Sequence, residues 1–242
     1  MIFAAGLGTR LKPLTDTMPK ALVRVGGEPL LYHVIMRLKT AGVERFVVNV
    51  HHFAEQIASY LEANGNFGLD IRLSDERGCL LDTGGGIKKA AAMFDADSPI
   101  LIHNVDILSN VPLEALALDG ESDALLVVSE RSTKRYLLFD DTMRLRGWTN
   151  IETGEIRSSS RAPLSKEDAG SLRKLAFSGI HLLSPRLLPL MDTWGDCFPI
   201  MDFYLEVCVD KRLTGYEAKG LRLMDVGKLD TLEQAEQFLN AL

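Results

Sequence analysis

The stretch of the sequence with the clearest chemical potential is AAGLGTRLKPLTDTMPKAL, residues 4–22, which follows a short apolar segment. Gly6 and Gly8 let backbone N–H groups approach a phosphate closely, because no Cβ intervenes. Arg10 and Lys20 add two cations beside this turn. Fixed cations next to backbone amides suit a triphosphate, whose negative charge must be neutralised while a bond breaks. The stretch therefore predicts a polyphosphate site; the alternative is a tight turn with two solvated surface cations.

Two familiar phosphate loops do not fit these residues. A dinucleotide-binding fingerprint has a third glycine where Leu11 stands, and Pro13 and Pro19 are incompatible with a long regular helix directly behind the glycines. A P-loop contains Gly-Lys-Ser or Gly-Lys-Thr, which this stretch lacks. The sequence therefore indicates a different type of nucleotide phosphate site.

Two carboxylates stand where a metal ion would need them. Asp106 directly follows the apolar segment ILIHNV, and Asp225 lies between another apolar segment and a predicted helix. In nucleotidyl transfer, Mg²⁺ is normally held by one or two carboxylates together with substrate oxygens. The alternatives are that Asp106 forms a turn and that Asp225 caps the helix. Combined with the glycine loop, the pair predicts a catalytic Mg²⁺ site.

Residues 80–90, LLDTGGGIKKA, place three consecutive glycines at the start of a predicted helix. A helix N-terminus with bare backbone can bind an anion or lie flat against a base. The alternative is a flexible start of the helix. Upstream, Asp75 and Glu76 are candidates for a hydrogen bond to a nucleobase.

Composition limits the class of protein. The chain has 242 residues, of which 46% are hydrophobic and 25% charged, and its net charge is −6. This balance is ordinary for a globular protein and argues against a nucleic-acid-binding surface. The three cysteines are widely scattered and show no metal-ligand spacing, which predicts reduced thiols. Because no secretory segment or membrane-spanning apolar run is found, we expect a cytoplasmic protein without membrane association.

Apolar segments alternate with amphipathic ones through the first half of the chain, which predicts βαβ units. The predicted strands are 1–5, 45–50, 69–74, 99–107 and 123–129, and the predicted helices are 29–42, 54–65 and 85–94. The expected fold is α/β: a Rossmann-like, mixed but mostly parallel sheet with helices on both faces. Ligands bind at the carboxyl ends of such strands, so residues after position 5 and at the end of 100–104 should share one cleft.

The second half is less regular. A hairpin is predicted around Asp140 and Asp141, and the polar segment 152–172 is expected to be a loop or a mobile segment. A strand at 174–184 and helices at 199–210 and 231–242 follow. We therefore expect a single domain over residues 1–242, with a small β-rich lobe inserted late in the sheet.

Residues 4–31, AAGLGTRLKPLTDTMPKALVRVGGEPLL, resemble the signature of the sugar-1-phosphate nucleotidyltransferases. This resemblance implies that an NTP and a sugar 1-phosphate give an NDP-sugar and pyrophosphate, by Mg²⁺-dependent in-line attack on the α-phosphate. It implies catalytic roles for Arg10, Lys20, Asp106 and Asp225, of which the two aspartates would bind the metal. The implied nucleotide-binding residues are Ala5, Gly6, Gly8, Thr9, Arg10, Gly84 and Gly85, and the implied sugar-binding residues are Asn104 and Gly179.

The sequence is most similar to the short members of that family, the N-acetylmuramate 1-phosphate uridylyltransferases and mannose-1-phosphate guanylyltransferases. UTP or GTP is therefore the expected nucleotide, and the expected role is in making nucleotide sugars for cell wall or polysaccharide synthesis. Val105 and Lys228 replace a glycine and a threonine of the family pattern, and its Glu-Lys-Pro element is missing. Lys166, Arg173 and Lys174 are all candidates to replace that element. The alternative function is a catalytically impaired protein of the same fold that binds a nucleotide or sugar as a regulator.

Overall fold

The computed structural model describes residues 1–242, which form fourteen strands and six α-helices. The strands are β1 (Ile2–Phe3), β2 (Arg24–Val25), β3 (Glu28–Pro29), β4 (Arg45–Val50), β5 (Asp70–Asp75), β6 (Ile100–Asn104), β7 (Ile107–Ser109), β8 (Ala124–Ser129), β9 (Arg135–Phe139), β10 (Leu145–Asn150), β11 (Glu155–Arg157), β12 (Arg173–Leu183), β13 (Leu213–Glu217) and β14 (Leu223–Asp225). The helices are α1 (Leu30–Thr40), α2 (Ala54–Ala63), α3 (Asp82–Ala90), α4 (Lys166–Ser171), α5 (Ile200–Val207) and α6 (Leu229–Asn240).

Ten strands share one sheet. The order β5–β4–β1–β6 is parallel throughout, and β1 lies between its neighbours with Ile2 opposite both Val48 and His103. Next comes β12, which is antiparallel to β6 and to β8, and β13 then pairs with β8 in parallel. The mostly parallel, mixed sheet confirms the fold class that the alternating pattern predicts.

The sheet separates two hydrophobic cores, so its central strands are apolar on both faces, as in other parallel sheets. Along β4, Val48 and Val50 join the core formed with α1, α2 and α6. Val47, which points to the opposite face, joins the core formed with α3 and α5. Helices therefore cover both faces, and the polar ends of the parallel strands are left to form a cleft.

β12 passes from one neighbour to another along its length. Its first residues, Arg173 to Leu175, pair with β9, whereas Ile180 to Leu183 pair with β6. The change occurs at Gly179, whose φ of +79° is favourable only for glycine. The first half of β12 thereby carries the antiparallel strands β9, β10 and β11, which are the small β-rich lobe.

The predicted loop at 152–172 is partly wrong. It contains β11, where Arg157 pairs with Trp148 of β10, and it contains α4. Helix α4 begins with a capping box in which the side chains of Ser165 and Asp168 each accept the other's backbone N–H. The short elements β13 and β14 were also absent from the prediction, and the helix predicted at 85–94 begins three residues earlier, at Asp82.

No helix of the protein combines the length and apolar character needed to cross a membrane.

Replacing Gly179 by alanine should destabilise the fold. The backbone is left-handed at this residue, and an added Cβ would lie 2.7 Å from the Asn104 side-chain nitrogen. We expect Gly179→Ala to lower the free energy of unfolding by about 2 kcal/mol or more, measured by urea denaturation. Gly170→Ala is the matched control, because Gly170 lies in α4 with open space around it, so alanine there should be neutral or slightly stabilising. Equal effects of the two substitutions would contradict this explanation.

Candidate active site

A cleft of about 520 Å³ opens at the carboxyl ends of the parallel strands. It brings together residues that the sequence places far apart. The predicted site residues that line it are Ala5, Gly6, Gly8, Thr9, Arg10, Lys20, Asn104 and Asp106. The expectation that the glycine loop and the end of β6 share one cleft is therefore confirmed.

The glycine loop is folded back on itself around Gly8. At this residue φ is +64°, and an added Cβ would lie 2.8 Å from the Thr15 methyl group. The buried Thr15 hydroxyl donates a hydrogen bond of 2.9 Å to the Gly8 carbonyl oxygen, and the fully buried Leu11 anchors the turn between them. No atom beyond its chain neighbours lies within 4 Å of the position of a Cβ on Gly6, so that part of the loop is open.

A buried polar pair, Asn49 and Glu76, holds the beginning of this loop in place. Of the two residues, the sequence indicated only Glu76. The Asn49 side-chain oxygen accepts the Ala4 and Ala5 amides at 2.7 and 3.3 Å, and its nitrogen donates to Glu76 at 2.8 Å. Glu76, only 1% exposed, also accepts the Leu81 amide. The pair thus joins the ends of β1, β4 and β5. Asn49 is a polar residue inside an otherwise apolar strand. This polar type is the only feature of the sequence that could have indicated its role.

Lys20 and Asp106 form an ion pair between the Nζ and Oδ2 atoms. The two side chains are only 10% and 19% exposed. An ammonium and a carboxylate buried to this extent each depend on the other for compensation of their charge. The structure therefore holds Lys20 at the carboxyl end of β6, facing the cleft.

Asp225 reaches the same place from the other end of the chain. β14 pairs with β7 so that Asp225 lies opposite Ile107, and the Val226 amide donates to the Asp106 carbonyl at 2.8 Å. The absence of a side chain at Gly227 leaves room for two side chains next to it. An added Cβ would lie 2.7 Å from both the Arg10 guanidinium and the Asp225 carboxylate.

The electrostatics of Asp225 reflect its neighbours. Burial, and then the like charge of Asp106, raise the pKa of the Asp225 carboxyl above its usual value, against the opposing effect of Lys20 and Arg10. The Arg10 guanidinium lies 3.9 Å from the Asp225 carboxylate, and both side chains are about half exposed. The like charge of Asp106 thus disfavours the ionised form of Asp225, and a cation bound beside the two carboxylates would relieve this repulsion.

The donor set fits Mg²⁺. Asp106 and Asp225 offer carboxylate oxygens, which are the hard ligands this ion prefers, and substrate phosphates normally complete its coordination. No cluster of three or more His, Cys, Asp or Glu side chains suited to a metal is present in the chain. A metal here would therefore be bound by the two aspartates with ligands from outside the protein.

Gly84 and Gly85 do not line the cleft. Their amides donate to the Phe198 carbonyl at 2.8 and 3.2 Å, and side chains at these positions would collide with Phe198 and with the Asp196 backbone. Both glycines therefore allow the segment 195–198 to pack closely on α3. Their assignment to the nucleotide stays a prediction, whereas Leu80, Asp82 and Thr83 of the same region do line the cleft.

A second cavity of about 320 Å³ adjoins the cleft and shares Asn104 with it. Of the two residues predicted for sugar binding, Asn104 lines this cavity, whereas Gly179 does not line it and lies behind it against the Asn104 side chain. The remaining lining comes mainly from β9, β10 and β12 and includes Arg131, Thr133, Arg135, Tyr136, Trp148, Phe177 and His181, with no acidic residue.

None of the basic residues proposed from the sequence to replace the missing Glu-Lys-Pro element lies in either cavity. Arg173 instead pairs with Glu217 at 2.8 Å, and Lys166 begins α4. The arginines that line the second cavity are instead Arg131 and Arg135. No spacing in the sequence could have identified them.

Asn49→Ala should show how far the cleft depends on its buried polar pair. The substitution leaves the Ala4 and Ala5 amides without a partner and leaves the Glu76 carboxylate with only the Leu81 amide, so we expect a loss of about 2–4 kcal/mol in the free energy of unfolding, measured with urea. Asn240→Ala, on the exposed end of α6, is the control and should change stability by less than about 0.5 kcal/mol. An unchanged stability of the Asn49 variant would mean that the network contributes nothing.

The sequence of this chain is similar to those of known proteins. The sequence model of the Nucleotidyl transferase family matches residues 1–134, more than half of the chain. The chain is 36% identical over 230 residues to the N-acetylmuramate alpha-1-phosphate uridylyltransferase of Caulobacter vibrioides, covering 91% of this chain and 88% of that protein. It is 39% identical over 241 residues to the enzyme of the same name from Neisseria meningitidis serogroup B, covering 100% and 98%.

The fold has relatives among solved structures. The inositol-1-phosphate CTP transferase from T. maritima superposes with a TM-score of 0.76, covering 99% of this chain and 93% of that one. Its sequence identity of 16% means that the likeness concerns the fold alone. From the family match and the two full-length relatives, the chain is a nucleotidyltransferase and belongs to the sugar-1-phosphate nucleotidyltransferase family.

Proposed function

We propose that this protein transfers the uridylyl group of UTP to N-acetylmuramate 1-phosphate, releasing pyrophosphate and forming the UDP-sugar. The observation that carries the proposal is the Lys20–Asp106 pair, which lies in one cleft with the glycine loop and next to a second cavity with two arginines. Asp225 lies beside this pair and beside Arg10. The names of the two full-length relatives favour UTP over GTP as the nucleotide. We further propose that residues 1–242 act as one nucleotidyltransferase domain, since a single sheet carries both cavities.

In this proposal, an oxygen of the sugar phosphate attacks the α-phosphorus of UTP in line. The bond from that phosphorus to the bridging oxygen breaks, and pyrophosphate leaves. No covalent intermediate with the protein is needed, so catalysis depends on positioning and on neutralising charge.

The residues of the glycine loop would hold the leaving group. The backbone around Gly6, Gly8 and Thr9 faces the cleft, and Arg10 lies half exposed beside it, where a guanidinium can pair with phosphate oxygens. Lys20 would exchange part of its contact with Asp106 for an oxygen of the reacting phosphate. Mg²⁺, held by Asp106 and Asp225, would neutralise further phosphate charge in the bound state. The base would lie against Leu80 and Thr83, near Gly84 and Gly85.

The second cavity would bind the sugar. Arg131 and Arg135 give it positive charge without any acidic residue in the lining, and Trp148 and Phe177 give it aromatic surface. N-acetylmuramate 1-phosphate carries two anionic groups, a phosphate and a lactyl carboxylate. A cavity with two guanidinium groups is complementary to such a doubly anionic sugar.

The two substituted positions of the family pattern, Val105 and Lys228, leave both aspartates in place, which counts against an impaired regulatory protein. Val105 is 4% exposed and packs in the core with α1 and α2, so its side chain does not displace Asp106 from the cleft. Lys228 is exposed at the start of α6 and leaves the Asp225 carboxylate beside Arg10.

Removing one carboxylate should abolish most of the turnover. We expect Asp106→Asn to lower kcat on the order of 10²-fold or more, because one electrostatic stabiliser of the reacting phosphates is lost. The measurement is pyrophosphate release from UTP and the sugar phosphate with Mg²⁺. Asp70→Asn, a surface residue paired with Arg72, is the control and should keep the turnover of the unmodified protein. Near-normal release by the Asp106 variant would refute the assigned role.

The arginines of the second cavity should act on the sugar alone. We expect Arg135→Gln to raise KM for N-acetylmuramate 1-phosphate on the order of tenfold or more, since a charge-assisted contact contributes about 1.5–3 kcal/mol, and to leave KM for UTP nearly unchanged. Arg72→Gln, on the exposed side of β5, is the control. A selective loss of UTP binding would contradict the placement of the sugar. Equal turnover with an N-acetylhexosamine 1-phosphate that lacks the lactyl carboxylate would contradict recognition of that second negative charge.

A further inference from the structure

Two of the three cysteines flank the nucleotide side of the cleft. Cys79 is exposed in the connection between β5 and α3, and Cys197 is exposed in the segment that precedes α5. Their Sγ atoms lie 3.7 and 3.5 Å from the same oxygen, the carbonyl of Leu80, so the two sulfurs are no more than about 7 Å apart. The third, Cys208, is buried in the core beneath α5.

The segments that carry the two thiols are bound side by side. The Phe198 amide donates to the Leu81 carbonyl at 3.2 Å, and the Phe198 carbonyl accepts the Gly84 amide at 2.8 Å. The Ile200 amide donates to the Thr83 hydroxyl at 2.9 Å. These contacts hold the segment of Cys197 next to that of Cys79, so the proximity of the two thiols is set by the fold.

We propose that Cys79 and Cys197 are a redox-sensitive pair that forms an intramolecular disulfide at the mouth of the cleft. An S–S bond is about 2 Å long, so the sulfurs must approach each other to form it, and the exposed connection at Cys79 is the part of the chain that can move to allow this. Both thiols are accessible to an oxidant, as cysteines that undergo exchange must be.

A small disulfide such as oxidised glutathione supplies the oxidant. The Cys197 thiolate attacks one of its sulfurs, the S–S bond of glutathione breaks, and one glutathione thiolate leaves. The Cys79 thiolate then attacks the Cys197 sulfur of the mixed disulfide, and the second glutathione thiolate leaves. The two cysteines lose two electrons and two protons, and the small disulfide takes them up as two thiols.

The disulfide would act on the nucleotide side of the site. Leu80 and Cys197 both line the cleft, and the Leu80 carbonyl oxygen is within reach of both thiols. Drawing the sulfurs together moves this backbone against the place where the proposed base would lie. This consequence rests on the proposed function, whereas formation of the bond does not.

The test begins with thiol counts and peptide masses. The fully reduced protein, treated with oxidised glutathione and then alkylated, should retain one free thiol of its three, and digestion should yield one linked pair of peptides containing Cys79 and Cys197. Cys208 is the internal control, because burial raises the pKa of its thiol and shields it. A linkage between two chains, stable glutathione adducts without linkage, or three unreacted thiols would each overturn the proposal.

Activity gives the second measurement. Oxidation should lower pyrophosphate release on the order of tenfold, because small displacements in a site cost this much or more, and dithiothreitol should restore it. Cys197→Ser removes the attacking thiol that lines the cleft, so this variant should form no linkage and keep its own activity when oxidant is added, whereas Cys208→Ser should respond like the unmodified protein. Equal inactivation of the Cys197 variant would overturn control by this disulfide. Because the linkage is read by mass without substrate, a failure of the proposed activity would leave that result standing.

Discussion

The site depends on one backbone hydrogen bond, from the Val226 amide to the Asp106 carbonyl at 2.8 Å. It continues the pairing of β14 with β7 and brings a residue close to the end of the chain against the end of a central strand. Together with this pairing it holds Asp225 next to Asp106, which lies far away in the sequence. The short β7–β14 ribbon is therefore the element that makes one charged centre from two halves of the sequence, and Ile107 and Leu108 of β7 anchor it in the hydrophobic core.

Without a ligand, the negative charges of Asp106 and Asp225 at this centre repel each other and are only partly compensated. Burial and the like charge of Asp106 raise the pKa of Asp225, and Lys20 and Arg10 only partly compensate. Such an arrangement is costly in stability and useful for binding, because a cation or a polyphosphate with its counterions relieves the repulsion. Lys20 has the most distinctive position, since its ammonium is buried against a carboxylate and yet faces the cleft.

Much of this could be predicted from the sequence, and the remainder could not, for physical reasons. The glycine loop, Lys20 and the two aspartates were recognisable because their chemistry needs particular residue types next to apolar strands. The alternating pattern gave the parallel half of the sheet, since a parallel strand is apolar on both faces. β13, β14 and α4 were missed because they are short and owe their stability to pairing partners or to a local cap. Arg131 and Arg135 were missed because only the path of β12 brings them to Asn104.

The division of β12 at Gly179 has a consequence for how such a protein can change. One continuous strand belongs to the nucleotide sheet over its last four residues and to the β-rich lobe over its first three. The lobe is thus attached to the rest of the sheet through the first half of β12. Substitutions in β9 and β10 can remodel the wall of the second cavity, where we propose that the sugar binds, while the glycine loop and both aspartates keep their places. A new acceptor would then require a new lobe surface and no new catalytic residue.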